Sequence, residues 1–201
     1  MLIWITKSLH LPANPASMVL LFFVYSFFGY IMECIVLTIE KKHLVVNRGF
    51  VRHLPFCIIY GFGAMAGFLI LRPISHNLVI LFLLGAVGAT LFELATARLQ
   101  IFMFGDFWWD YTKKPFNYKG ILCLESTIGW GLLAILLVRF FHPALAGVVK
   151  MMPEFFMGPL AAILVLGYAL DFIVSAREAL MAKKQQAKQA DEKQQAEALG
   201  E

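Results

Sequence analysis

Apolar runs of bilayer-spanning length recur five times along this chain, separated by short polar segments. A hydrocarbon core of about 30 Å takes about 20 consecutive apolar residues in helical form. The runs Ser17–Ile39, Leu54–Leu71, Asn77–Ala97, Ile121–Phe141 and Met157–Ala176 reach or approach that length. With no water in the core to satisfy an open backbone, such runs must be helices. The pattern therefore predicts an all-α, polytopic membrane helical bundle of about five transmembrane helices. Met1–His10 is apolar but short, and Pro12 and Pro15 break it before the first long run. It is read as interfacial and not as a cleavable signal peptide. The expected organisation is an interfacial segment at 1–16, a transmembrane helical domain at 17–176 and a soluble charged tail at 177–201. Composition shifts abruptly in that tail to Lys, Gln, Ala and Glu without an apolar stripe, which predicts a frayed helix or disorder.

Composition agrees with the pattern: 60% of residues are hydrophobic and 15% charged, where soluble domains carry about a quarter charged. Orientation follows from Lys and Arg. Thirteen of the 17 basic residues fall on the first loop, the third loop and the tail, whereas Lys7, Arg72, Arg139 and Lys150 fall on the opposite side. The positive-inside rule then predicts an N-out, C-in chain in the inner (plasma) membrane, with an odd number of spans. The formal charge of +4 is explained by attraction of these loops to anionic lipid and calls for no nucleic acid. Cys34, Cys57 and Cys123 all lie toward the cytoplasmic ends of their spans, where an odd number of thiols predicts no disulfide framework.

Four acids, Glu33, Glu93, Glu125 and Asp171, interrupt the apolar runs. An ionisable group at membrane depth costs about 2.5–3.5 kcal/mol on insertion scales, so it normally faces a partner, a cavity or a pathway. In the N-out topology all four fall at similar depth near the cytoplasmic side. Each has a small residue one turn away, namely Gly29, Ala89, Gly129 and Gly167, and small faces are where membrane helices approach one another. Two readings stand. The acids pair with Arg48, Arg52 or Arg98 and fix helix register, or they line a cytoplasm-facing cavity that binds a cation, a proton or a polar ligand.

The loops add polar candidates. In the first, Asn47, Arg48 and Gly49 precede Pro55, which suits the first turn of the second span. In the third, Trp108, Trp109 and Tyr111 beside Lys113 and Lys114 read as an interface anchor, while Asp110 and Asn117 are free to cap a turn or face the cavity. Leu99–Phe107 reads as lying along the headgroups or dipping into the membrane. The cysteines and His53 show no metal-ligand spacing, no His is fixed beside a Cys for nucleophilic catalysis, and no Walker-type phosphate loop is present. No metal, cofactor or self-contained ATPase is expected, and no recognisable catalytic constellation favours an enzyme.

Several of these segments together resemble a known family. They are Tyr25–Glu33, Val46–Phe50, Pro55–Gly63, Glu93, Trp108–Tyr111, Pro115–Asn117, Gly120, Cys123-Leu124, Ser126 and Trp130-Gly131. They are similar to the bacterial ABC-transporter type IV (CmpB-like) integral membrane proteins over about residues 20–143. The resemblance implies a permease-like protein, with a separate ATPase subunit as a partner. It points to Glu33, Asn47, Arg48, Gly49, Tyr60, Glu93, Trp109, Asp110, Asn117 and Ser126, and burial cost adds Glu125 and Asp171 to the expected substrate-binding set. Besides the lipid bilayer, the small-residue faces suggest a homo-oligomer. The expected function is a transporter component with an acidic cavity. A membrane-embedded enzyme acting on a lipid headgroup through Asp110 or Glu93, and a non-catalytic scaffold or regulator, are the alternatives.

Overall fold

A computed structural model describes residues 14–47, 49, 51–107 and 109–199. Most of the expected N-terminal segment and Arg48 lie outside them. Among the described residues the protein is helical throughout, and its only pairing of β type is an isolated bridge between Tyr118 and Leu122.

Helix α1 covers Pro15–Lys41. It begins two residues before the expected span, because the Asn14 side chain accepts the Ala16 N–H at 2.9 Å and Pro15 sits where its missing N–H is harmless. Lys42, at φ 55°, ends it in a left-handed turn. Helix α2 covers Ile58–Leu71 and closes with a 3-10 turn at Arg72–Ile74. Helix α3 covers Leu78–Phe104, started by Asn77, whose Oδ1 accepts the Val79 and Ile80 N–H groups at 3.1 Å, and ended by Gly105 at φ 83°. Leu99–Phe104 is thus the last part of one continuous helix and not a separate segment lying on the membrane surface.

The fourth span is also longer than its apolar run. Helix α4 (Leu124–Leu136) passes through a π-helical turn at Leu137–Phe141 into α5 (His142–Lys150). Helix α6 covers Glu154–Leu199, so the charged tail continues the last span without a break. Four stretches, Pro15–Lys41, Leu78–Met103, Leu124–Lys150 and Glu154–Ala182, are long and apolar enough to cross a membrane. Large apolar side chains such as Ile70, Leu91, Phe140 and Leu166 stand exposed around them, as a lipid-facing surface requires and a water-facing one seldom tolerates.

The second span departs most from expectation. Its helix has 14 residues, about 21 Å at 1.5 Å per residue, and starts four residues later than the hydrophobic run. Pro55 therefore precedes the helix instead of occupying its first turn. The cause is local: Leu54–Cys57 is held in a non-helical path from both sides. The Cys57 N–H bonds to the Ser26 carbonyl near the middle of α1 at 3.0 Å, while Asp171 of α6 accepts the N–H groups of His53 and Leu54 at 3.2 and 2.7 Å. Non-helical backbone at this depth is tolerated only where protein satisfies it. The chain after α1 thus folds back along that helix before α2 begins.

Two close helix pairs form the frame, α1 with α2 and α3 with α4, and α5 and α6 close against α1. A Cβ on Gly29 would overlap Tyr60, one on Gly61 would overlap Ser26, and one on Gly85 would overlap Ala134. These glycines set how near the helices come, and small contact residues are the usual means of helix association in lipid. Leu20, Leu21, Tyr25, Ala146, Val149, Met157 and Ala161 form a core at the end where α1 begins. Toward the opposite end lie Glu33, Asn47, Tyr60, Glu93 and Tyr111.

Candidate functional site

Glu33 lies in the last third of α1 and Glu93 just past the middle of α3, and the fold brings them into one polar cluster. Asn47 Nδ2 donates to Glu33 Oε1 at 3.2 Å, and the Tyr60 hydroxyl donates to Oε2 at 2.5 Å. On the other side, Trp130 Nε1 donates to Glu93 Oε2 at 3.1 Å and the Tyr111 hydroxyl donates to Oε1 at 3.0 Å. The Tyr60 and Trp130 rings stand 6.1 Å apart and join the two halves. Ser126 Oγ lies 3.5 Å from Glu93 but 3.0 Å from the Cys123 carbonyl. Its single proton goes to the nearer acceptor, so Ser126 is a weak partner of Glu93.

Backbone geometry explains each placement. Gly29 sits one helical turn before Glu33 and admits Tyr60 against α1, which carries the phenol to the carboxylate. Asn47 is pinned by its own contacts: its Oδ1 accepts the Gly49 N–H at 3.0 Å, and its N–H meets Cys34 Sγ at 3.4 Å. Ser126 and Trp130 are four apart on α4 and share a face, which is turned to α3. Thr90 and Thr127 bond across the same contact at 3.0 Å.

The loop between α3 and α4 delivers Tyr111. Asp110 Oδ1 accepts the Thr112 N–H at 2.9 Å, Asn117 Nδ2 donates to the carbonyls of Thr112 and Lys114, and Asn117 Oδ1 accepts the Gly120 N–H. Gly120 has φ 69°, and a Cβ there would press on Thr112 and Asp110. The Thr112 N–H holds the exposed Asp110 carboxyl below its ordinary range. Burial, and then the adjacent Glu93, push the Tyr111 phenol up, so it stays protonated and donates. Trp109 Nε1 donates to the Ile121 carbonyl at 2.8 Å and anchors the loop end. Trp109, Asp110 and Asn117 thus build the loop, and among its described residues Tyr111 alone reaches a buried carboxylate.

The other two acids have different surroundings. Glu125 is exposed and binds Lys114 Nζ at 3.0 Å, and the same ammonium binds Glu40 at 2.9 Å. Glu40 and then Glu125 raise Lys114 above its ordinary range, which keeps this surface clip charged. Asp171 is buried, and its carboxylate serves the re-entrant segment. Besides the two backbone N–H groups it meets His53 Nδ1 at 2.7 Å and Ser175 Oγ at 3.4 Å. Arg52, a candidate partner for the buried acids, instead pairs with Glu178 at 2.9 Å. The four acids therefore have four separate sets of partners, and only those of Glu33 and Glu93 meet, through the Tyr60 and Trp130 rings.

Sequence reasoning took Tyr111 as a membrane anchor and gave Trp130 no role. The signal for Trp130 was its spacing of four from Ser126. Tyr111 carried no such signal, because a loop residue's reach depends on the turn geometry set by Asp110 and Asn117.

Searches of curated proteins and of solved structures return no significant match. The family model described as Putative ABC-transporter type IV matches residues 20–176. It extends beyond the resemblance at about 20–143 to take in the fifth span and Asp171. With most of its length matched, the chain belongs to the Putative ABC-transporter type IV family and is a multi-pass membrane protein of transporter-related type.

Proposed function

We propose that this chain is the permease-type component of an inner-membrane transporter, N-out and C-in, and that Glu33 and Glu93 bind a cation or a proton in a cavity facing the cytoplasm. The observation that carries the reading is the kind of partner these acids have. Among the described residues their hydrogen-bond donors are Asn, Tyr and Trp, with Ser126 at most a weak one, and neither acid forms an ion pair with Lys or Arg. Neutral donors satisfy carboxylate lone pairs but leave the negative charge uncompensated at membrane depth. A proton or a cationic cargo supplies that compensation, and the Tyr60, Tyr111 and Trp130 rings suit a cation with an organic surface.

In this reading Glu33, Asn47, Tyr60, Glu93 and Trp130 contact the cargo. A broken second span beside the acids supports the reading too, since interrupted helices are a common way to build sites at membrane depth. Lys113, Lys114 and the helical continuation of α6 beyond Ala182 offer a surface for a separate ATPase subunit.

The test uses the purified protein in neutral detergent with tetraphenylphosphonium as the cationic probe. Binding should be accompanied by proton release into a weakly buffered solution. Glu33→Gln and Glu93→Gln should each weaken binding by about tenfold, or about 1.4 kcal/mol, while Asp110→Asn leaves it unchanged. Unaltered binding in both glutamine variants would sink the proposal.

A further inference from the structure

Basic residues are unwelcome on the side of a membrane protein that the positive-inside rule leaves poor in Lys and Arg. Lys7, Arg72, Arg139 and Lys150 break that pattern. Lys7 lies outside the described residues. The other three come from separate parts of the chain: Arg72 from the turn ending α2, Arg139 from the π-helical turn and Lys150 from the end of α5. The fold gathers all three around one cavity of about 380 Å³, at the end of the bundle opposite Glu33 and Glu93. Among the described residues no Asp or Glu lines it.

From this convergence we infer that the cavity is a binding site for a phosphate-bearing anion at the outer boundary of the membrane. Its construction fits that ligand. Val138 of the π-helical turn and His142 and Lys150 of α5 all line the cavity. The buried His142 ring makes a firm floor, stacked on Phe68 at 3.3 Å between centroids and joined to the Tyr25 hydroxyl at 2.6 Å. Arg139 Nη1 donates to the Ser75 carbonyl at 3.1 Å, which ties the π-helical turn to the segment after α2. The Arg72 guanidinium stands 5.9 Å from the Phe68 ring centroid.

Three cations around one concave surface repel one another unless an anion joins them, and the lining residues provide none. Guanidinium groups match phosphate oxygens in geometry as well as charge. Phe68 and Val138 add an apolar wall that suits the glycerol and first acyl carbons of a lipid. The phosphate therefore comes either from an anionic headgroup or as the free ion. The inference stands apart from the cation site proposed above, because no residue is common to both.

Full-length protein in neutral detergent would be titrated with dioctanoyl phosphatidylglycerol and, separately, with inorganic phosphate. Dioctanoyl phosphatidylcholine serves as the zwitterionic control. Wild-type protein should bind at least one of the two anions, and the double variant Arg72→Gln/Arg139→Gln should weaken that binding by about tenfold. Arg139 and Lys150 are exposed and Arg72 is half-buried, and Lys150→Gln should give a smaller loss in the same direction without threatening the fold. The matched pair Lys41→Gln/Lys42→Gln at the other end should change binding by less than about twofold. Binding of the lipid alone identifies a headgroup, and competition by phosphate identifies the free ion as a ligand. Absence of binding to both anions, equal binding of phosphatidylcholine, or an equal loss in the Lys41/Lys42 pair would overturn the inference.

Discussion

Replacement of Asp171 by Ala should destabilise the protein by about 2–4 kcal/mol, chiefly by stranding the His53 and Leu54 N–H groups, at about 1–3 kcal/mol for each unsatisfied group. The carboxylate is buried while the His53 ring is largely exposed. Their ion pair is therefore screened and adds little. What Asp171 supplies is acceptors for backbone that has left helical geometry. Asp171→Asn should be milder, since one amide oxygen can still accept both N–H groups now held by Oδ2. Thermal unfolding of the purified variants measures the order wild type, Asn, Ala. Maleimide labelling gives an independent readout: Cys57 is buried beside the held segment and should react faster in Asp171→Ala. A stable Asp171→Ala protein with Cys57 still protected would show that the segment keeps its path without the carboxylate.

The broken second span explains what could and could not be read from the chain. Four of the five helices follow from length and apolarity, because a long apolar run in hydrocarbon has one backbone solution. Leu54–Cys57 is as apolar as the helix it precedes, so hydropathy cannot separate a helix from a segment whose backbone other parts of the protein satisfy. Pro55 was the local clue, since a residue before proline avoids helical geometry. Yet Pro at the start of a run also fits a first helical turn, and the deciding contacts come from Ser26 and Asp171, distant in sequence. The acids show the same limit. Counting along a span gives an expected depth for each carboxylate and nothing more. It does not fix the direction each helix face takes, and that direction sends Asp171 to the loop and Glu125 to the surface.

Glycine substitutions turn the question of direction into a graded experiment. Gly29 and Gly129 look alike in sequence, each one turn from an acid, but a Cβ on Gly29 would overlap Tyr60 whereas one on Gly129 meets nothing within 4 Å. Gly131 is two residues from Gly129, hence on nearly the opposite face, and a Cβ there would press on the Phe82 ring. Gly29→Ala should therefore cost about 1–3 kcal/mol as α1 and α2 are forced apart. Gly131→Ala should cost less, because the Phe82 ring can swing away. Gly129→Ala should be neutral or stabilising by up to about 1 kcal/mol, since alanine favours the helix. The first substitution has a second consequence: moving α2 draws the Tyr60 hydroxyl from Glu33, so cation binding falls along with the unfolding temperature. Tyr60→Phe removes that hydroxyl without separating the helices and should weaken binding with a smaller loss of stability. Equal stability of the Gly29→Ala and Gly129→Ala proteins would mean that α1 and α2 are not held at this distance by glycine, and Tyr60 would then need another reason to reach Glu33.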